Sequence, residues 1–575
     1  MILIVYGSET GNSADLAMQL DRKLRRNGIR CKLGSLDHLG PDLKSASIAI
    51  FIISTTGQGV LPRNCRQFWS HLLRKSLPGD YLANLKFASF GLGDSSYIKY
   101  NYAVKKLHAR LLQLGAHQFG DRAEADEQDN PQMTFEYWAE SLLECMPCID
   151  PKPRHSSDSL LAPRYPLTVC TDKPRRLAPD AAYSRPLPVA TVCANKRITD
   201  PTHFQDVRLI SLEQQSTDHT TVQPGDSCTI YPENDPALVQ TLLDLQHWSD
   251  IADYPVDIDP EYWHDTQPVR PLTLRSLIAH HLDIMSIPRQ SFFEVAKYFS
   301  DPKDSEDGRE REKLEDFSSI EGQDELHNYA NRPRRSILET ISEFSSLKIP
   351  VEYLLELIPP LRPRLFSISS IGPHLELIVG LVKYRTILRR VRKGVCSDYF
   401  TRLQVGTKIN YSIVKSPFRL PSPEKPIVMI APGTGVAPMR CLIQYRFHLN
   451  DTVPVGENVI IFGCRYHDKD YFLKDEWNRL LEHKNFPFKV VTAFSREEPK
   501  QYVQNALHMH GDRIAELILD QNASVYLCGS SGAMPRQVRD TLVEIFSRND
   551  RMTHEEASEY LYKMERMSRY IQDTW

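Results

Sequence analysis

Residues 425–440, KPIVMIAPGTGVAPMR, pass from an apolar run (427–431) through a glycine-rich turn (Gly433, Thr434, Gly435) into a segment that can start a helix. An apolar run of this kind reads as a strand buried on both faces, and a strand that turns on glycines into a helix is the unit of a parallel α/β sheet. Backbone N–H groups and the positive end of a helix dipole then converge on one point, which suits a pyrophosphate. The same turn also serves as a plain α/β connection, so its meaning depends on what the rest of the chain supplies.

Residues 1–146 repeat the device three times, as a doubly wound parallel sheet would. ILIVY (2–6) runs into GSETGNSADLAMQLDRKLRR, where Ser8, Glu9, Thr10, Gly11, Asn12 and Ser13 bring hydroxyls, an amide and free backbone N–H groups to a helix start, forming a phosphate cradle. SIAIFIIS (47–54) ends in Ser54, Thr55, Thr56 and Gly57, and FASFGLGD (87–94) ends in Leu92, Gly93 and Asp94, followed by Ser95, Ser96 and Tyr97. Three polar loops at the carboxyl ends of successive strands stand where ligands bind in open α/β sheets.

A chain of 575 residues exceeds one core, and roughly 100 to 200 residues per domain predicts three or four domains. The charge balance of −3 demands no strongly basic face, which makes nucleic acid a poor partner. No apolar run approaches the ~18 residues of a membrane span. Eleven cysteines scattered along the chain, with no secretory apolar segment at the start, predict reduced thiols and a cytoplasmic location. Residues 147–188 hold nine prolines and read as a linker, a hinge between domains. At its edge Cys145 and Cys148 have the spacing of a redox disulfide or half a metal site; without a second such pair or a βαβ context the plainer reading is two incidental thiols, and no metal is expected.

From 189 short strands (LPVATVCANKRI, HFQDVRLIS, DSCTIYP) predict a β-barrel, interrupted at about 235–356 by a helical insertion whose charged stretch 301–317 reads as a solvated helix or loop. The barrel resumes with RPRLFSISS (362–370), LELIVGLVKY and RKGVCSDYF (392–400) and extends to 420. Arg364 can pair with a phosphate, and Gly394, Val395, Cys396 and Ser397 offer a further turn of backbone N–H groups for a pyrophosphate. A buried ion pair and a tight turn are the structural alternatives. Residues 421–575 return to α/β alternation, and after the strand KVVTAF the string SREEPKQYVQ gathers Ser495, Arg496, Lys500, Tyr502 and Gln504 where an adenosine ribose would lie. Cations there select a 2′-phosphate, favouring NADPH over NADH. The chain closes on Asp573, Thr574 and Trp575, and a terminal tryptophan is a large apolar group that gains by docking.

SETGNS, STTG and LGDSSYIKYN together resemble a flavodoxin-like FMN domain, with the first as phosphate loop and the others as the two loops at the isoalloxazine ring. The resemblance places Asn101 and Glu127 at that site. It implies a ring stacked on Tyr97 and more open on the side where Thr56 replaces the usual aromatic. Arg364, Leu365, Phe366 and Ser367 with the GVCS turn resemble the RxxS and GxxS elements of a ferredoxin–NADP reductase-type FAD domain, with Arg334 as a further FAD contact and Phe366 where a tyrosine is usual. SREEPKQYVQ resembles the 2′-phosphate loop of NADPH-dependent diflavin reductases, the family that includes cytochrome P450 reductase. In that order the three resemblances cover nearly the whole chain. They imply a flavodoxin-like FMN domain, a β-barrel FAD domain with inserted helical connector and an α/β NADPH domain, and cofactors FMN, FAD and NADPH. Ser367 is then expected near the flavin N5, Cys528 and Asp573 near the nicotinamide, and Trp575 over the ring; a buried strand-end thiol is the plainer reading of Cys528.

Within the family the chain is most similar to soluble members serving cytosolic iron–sulfur cluster assembly, which implies an anamorsin-type iron–sulfur protein as electron acceptor. Another soluble acceptor, such as sulfite reductase, methionine synthase or a heme protein, is the alternative among enzymes. A nucleotide-binding scaffold without turnover is the alternative outside them.

Overall fold

A computed structural model describes the chain except residues 58, 98, 148–158, 174–185, 216–220, 264–271, 302, 304–308, 417 and 549–550. Cys148, and with it the reading of Cys145 and Cys148 as two incidental thiols, lies outside the described residues; the ten described cysteines are free thiols. The chain folds as two compact units, one of Met1–Pro186 with Pro236–Pro360 and one of Leu187–Asp235 with Leu361–Trp575. No described helix is long and apolar enough to cross a membrane.

The first unit opens with a parallel sheet in the order Lys32–Ser35, Ile2–Gly7, Ile48–Ser54, Lys86–Gly93, His117–Gln118, with Ala123–Asp126 also on Lys86–Gly93. Strand alternation divides the core in two. Ile4, Ile50, Ile52 and Phe90 pack under the helices Asn12–Arg26 and Pro131–Cys145, whereas Leu3, Val5, Phe51 and Phe87 pack under Tyr102–Gln113 and Arg66–Leu72. The strand order reverses beside Ile2–Gly7, so the loops after Ile2–Gly7 and Ile48–Ser54 flank the crevice where doubly wound sheets bind ligands.

The helical insertion belongs to this same unit. Its helices, among them Pro236–Leu245, Leu274–His281, Gln290–Ala296 and Ile337–Glu343, close around Leu242, Leu277, Phe293, Phe317 and Ile341. The charged stretch yields the helix Glu310–Ser318, which turns Leu314 and Phe317 inward and leaves most of its charges in water. The proline-rich stretch read as a linker is not uniform. Leu167–Val169 pairs antiparallel with Val256–Ile258, and Arg164 forms an ion pair with Asp21 at 2.5 Å, so these described residues are tied to the insertion and to the first helix.

The second unit holds an antiparallel sheet in the order Arg364–Ser367, Ser227–Ile230, Lys408–Val414, Val189–Arg197, Val207–Gln214, His374–Gly380. Its two edge strands meet through one bridge, Ile368 with Leu377, in place of the full ladder that would close the expected barrel. A parallel sheet follows in the order Phe488–Phe494, Asn458–Cys464, Ile427–Pro432, Ser524–Gly529, Tyr570–Thr574. Val207 and Ile378 of the antiparallel sheet pack with Met429, Ile460 and Phe462 of the parallel one, so one core spans both. Arg440 stitches them further, bonding Glu476 at 2.9 Å and Glu376 at 2.5 Å while almost fully buried.

Candidate functional site

The candidate residues fall into three groups, two toward the carboxyl ends of parallel strands and one on the antiparallel sheet. The first surrounds the start of the helix Asn12–Arg26. Gly11 precedes it at φ 108, a conformation open to glycine and strained for other residues, and no side chain caps the helix. The Gly11 N–H donates to Ser8 Oγ at 2.9 Å, while the Ser13 hydroxyl is fully buried with no hydrogen-bond partner. An uncapped helix start with an orphaned buried hydroxyl fits an oxyanion of the size of a phosphate. Glu9 accepts from Arg63, Nε to Oε1 at 3.2 Å.

Beside it lie the two loops that follow Ile48–Ser54 and Lys86–Gly93. Ser54 Oγ donates to the Gly7 carbonyl at 3.0 Å and the Thr55 N–H to the Leu92 carbonyl at 2.8 Å, which draws the three strand ends together. Gly57 sits at φ 46 with open space around its α-carbon. Tyr97 is exposed and Thr56 half-buried, its hydroxyl turned onto the Val60 carbonyl at 3.3 Å. Ser96 Oγ donates to Asp94 at 2.6 Å, and this bond chiefly holds the Asp94 carboxyl below the usual range. Asn101 is buried in the left-handed region at φ 55; its amide reaches the Ala125 carbonyl at 3.1 Å and its Oδ1 is unpartnered. Gly91 and Gly93 make room for it, since a Cβ on either would lie within 3 Å of Asn101. Glu127 joins through its backbone, N–H to the Gly93 carbonyl at 2.8 Å, and Gln128 through its side chain, Nε2 to Asp94 at 3.0 Å. Asp126 accepts from the Ser95 N–H at 3.0 Å, so the flanks of Glu127, within the stretch ADEQ that the resemblance singled out, bond this loop through side chains from over thirty residues away.

The second group is on the antiparallel sheet. Alternation sets Arg364 and Phe366 on one face of the strand Arg364–Ser367 and Leu365 and Ser367 on the other. Phe366 packs edge-on against Phe400 at 5.3 Å in the helix Val395–Arg402, and Arg364 is close enough to Cys396 to draw its thiol down against a burial that pushes it up to about 12. Arg364 Nη1 donates to the Arg362 carbonyl at 2.6 Å, and the start of that helix, where Gly394 is the N-cap, carries no side-chain cap. The Ser397 hydroxyl accepts from the Val382 N–H at 2.9 Å. Cation and helix terminus together are the donor set of a pyrophosphate site. Arg334 belongs to the other compact unit, where it is exposed at φ 54.

The third group crowns the parallel sheet. Its strand order reverses between Ile427–Pro432 and Ser524–Gly529, so Thr434 and Cys528 flank the switch point. A Cβ on Gly435 would come within 2.0 Å of the Cys528 carbonyl oxygen, which makes glycine a packing requirement there. Register sets Asp573 opposite Cys528, and Trp575 is held by its backbone, N–H to the Gly529 carbonyl at 3.1 Å and carbonyl from the Ser531 N–H at 2.9 Å, with its ring exposed. Burial, reinforced by the Asp573 carboxylate, raises the Cys528 thiol well above its ordinary value. Next along the sheet edge, Ser495 Oγ donates to the Cys464 carbonyl at 3.2 Å, Arg496 Nη1 approaches the Tyr502 hydroxyl at 3.5 Å, and Lys500 stands exposed near Glu498 at 3.8 Å. Gln504 turns aside to Gln537, Nε2 to Oε1 at 3.0 Å.

Comparison with known proteins finds three domain types in order along the chain. A flavodoxin family model matches residues 4–138, an FAD binding domain model residues 183–399 and an oxidoreductase NAD-binding domain model residues 429–540. Over its full length the chain is 44% identical to NADPH-dependent diflavin oxidoreductase 1 of Debaryomyces hansenii, covering 98% of that protein. It is 40% identical to the Candida albicans protein of the same name and 37% to that of Saccharomyces cerevisiae, covering 99% of each. With flavodoxin-like, FAD-binding and NAD-binding domains in one chain and relatives matched end to end, this protein belongs to the NADPH-dependent diflavin oxidoreductases, enzymes that use FMN, FAD and NADPH.

Proposed function

We propose that the chain takes electrons from NADPH and delivers them singly to an anamorsin-type iron–sulfur protein, in the cytoplasm, at an early stage of iron–sulfur cluster assembly. Bound NADPH supplies a hydride, and the two bound flavins divide that pair into single electrons. In this reading the loop 8–13 holds the FMN phosphate, and residues 54–57, 92–97, Asn101 and Glu127 frame its ring. Arg364 and the turn 394–397 hold the FAD pyrophosphate, with Leu365, Phe366 and Ser367 along the flavin. Thr434 binds the coenzyme pyrophosphate, while Ser495, Arg496, Lys500, Tyr502 and Gln504 receive the 2′-phosphate. Ser367, Cys528, Asp573 and Trp575 form the hydride-transfer site. Because burial and Asp573 keep Cys528 protonated, its role there is to place a neutral S–H beside the nicotinamide, with Asp573 setting the charge and Trp575 excluding water from the ring.

The observation that carries this reading is the end-to-end likeness to proteins named NADPH-dependent diflavin oxidoreductase 1. It is tested by mixing flavin-replete protein anaerobically with NADPH or NADH, then adding oxidised anamorsin-type partner and following flavin and cluster absorbance. The expected result is flavin bleaching by NADPH followed by cluster bleaching. Flavins that reduce while the clusters stay oxidised would remove the acceptor, and flavins untouched by NADPH would remove the hydride route.

A further inference from the structure

The loop assigned to the FMN phosphate is gripped from outside the parallel sheet it belongs to. Arg289, which immediately precedes the connector helix Gln290–Ala296, donates from Nη2 to the Thr10 carbonyl at 3.2 Å and to Asn12 Oδ1 at 3.1 Å. Two residues on, the Ser291 hydroxyl donates to Asp15 in the first turn of the helix Asn12–Arg26. Further down that helix Arg22, almost fully buried, pairs with Glu294 at 2.8 Å and Glu356 at 3.4 Å. The connector thus lies along the helix from its start to its fourth turn, with Arg289 at the phosphate end.

Charge at that end is unevenly matched. Glu9 and Asp15 are both acidic. Glu9 is answered by Arg63, whereas Asp15 is hydrogen-bonded by the neutral Ser291 and Gln19, and the cation it acts on, Arg22, lies further down the helix and is already paired with Glu294 and Glu356. A phosphate dianion entering here meets the helix dipole and the unpartnered Ser13 hydroxyl, with the negative charge of Asp15 in the same first turn. Among the described residues the guanidiniums bonded to this loop are those of Arg63 and Arg289, and Arg63 is committed to Glu9 through both its backbone N–H and Nε. Arg289 uses two bonds from one terminal nitrogen, and a guanidinium carries further donors in the same plane.

We propose that Arg289 is an FMN-binding residue supplied by the connector: it pins the backbone of the phosphate loop and sets the positive charge that balances the phosphate dianion. The proposal rests on the assignment of residues 8–13 as the phosphate loop. Its consequence is reciprocal linkage, in which FMN binding strengthens the hold of the connector on this helix and that hold slows loss of FMN.

The test uses the full-length protein, depleted of FMN with FAD retained, titrated with FMN and separately with riboflavin while flavin fluorescence is followed. Riboflavin carries the ring without the phosphate. Arg289→Ala raises the Kd for FMN roughly tenfold, as loss of a charged hydrogen bond does, and leaves the Kd for riboflavin unchanged. Arg289→Lys restores part of the FMN affinity, and the difference from the parent narrows at high salt. An unchanged Kd for FMN overturns the proposal, and so does an equal weakening of FMN and riboflavin, which marks a purely structural residue. Ser13→Ala separates the two assignments. If it weakens FMN and Arg289→Ala does not, Arg289 alone is wrong; if neither does, the phosphate loop is misassigned as well.

Discussion

Single residues carry two kinds of information here. Serine, threonine and glycine of SETGNS and APGTG announce tight turns rich in donors by composition alone, because few other residues offer hydroxyls, free N–H groups and left-handed backbone in so short a span. The need for Gly435 was not legible in that way. It follows from the approach of the Cys528 carbonyl, ninety-three residues later, to 2.0 Å of a would-be Cβ. Gly435→Ala must push two backbones apart, at a cost of about 1 to 3 kcal/mol. The expected readings are a lower thermal midpoint for the nucleotide-binding unit and slower bleaching of flavin by NADPH; an unchanged midpoint would show that the turn yields without cost. Arg496 tests coenzyme choice. Its guanidinium and the Tyr502 hydroxyl stand together at an exposed edge, so Arg496→Ala should cut the preference for NADPH over NADH about tenfold, measured as the ratio of kcat/KM for the two coenzymes. A ratio that does not move would take the 2′-phosphate away from this loop.

Among the elements, apolar periodicity announced the strands of both parallel sheets, and the polar residues at their carboxyl ends fell at the two switch points. The antiparallel sheet was legible as short strands, while its edges, joined at the single bridge of Ile368 and Leu377, were not, since closure depends on pairing between strands and not on the pattern within one. The helix Tyr102–Gln113 shows how an element couples to pH. His108 faces inward from it, bonding Ser89 Oγ at 2.9 Å and packing edge-on against Phe87 at 5.1 Å. Burial, with Arg122 adding repulsion, depresses its pKa below 6.5, so the folded state prefers the neutral ring and the unfolded chain takes up the proton first. The stability this confers is complete above 6.5 and is lost as pH falls through the lower folded value. Melting followed by FMN fluorescence from about pH 8 to about pH 5 should show a midpoint that holds and then declines, and His108→Asn, which keeps a bond to Ser89, should flatten that decline. A slope identical in the variant would assign the acid sensitivity elsewhere.

At the scale of the molecule, the chain leaves the antiparallel sheet at Asp235, builds the connector on the flavodoxin-like part, and returns at Leu361. Residues 1–186 and 236–360 should therefore unfold together. Replacing Glu294 and Glu356 by Gln strands the buried Arg22 beside neutral amides, at a cost of about 3 kcal/mol. Connector unfolding and FMN release should then shift to lower temperature in step, while the transition reported by FAD stays in place; separate shifts would mean that the two parts of the unit melt independently. The sequence by itself determined the order of the three domains, the glycine turns at their strand ends and the cations that follow the strand Phe488–Phe494. Each of these is a local pattern, written by backbone sterics, strand and helix period and side-chain chemistry within some ten residues. Only the tertiary structure decided that the connector shares a unit with the flavodoxin-like part, that Asp573 stands opposite Cys528, and that Arg289 reaches Thr10 and Asn12. Those pairings join residues 45 to 279 positions apart, and they are fixed by which apolar faces bury one another and where that burial leaves a charge to be matched, a sum over the whole chain that no local window contains.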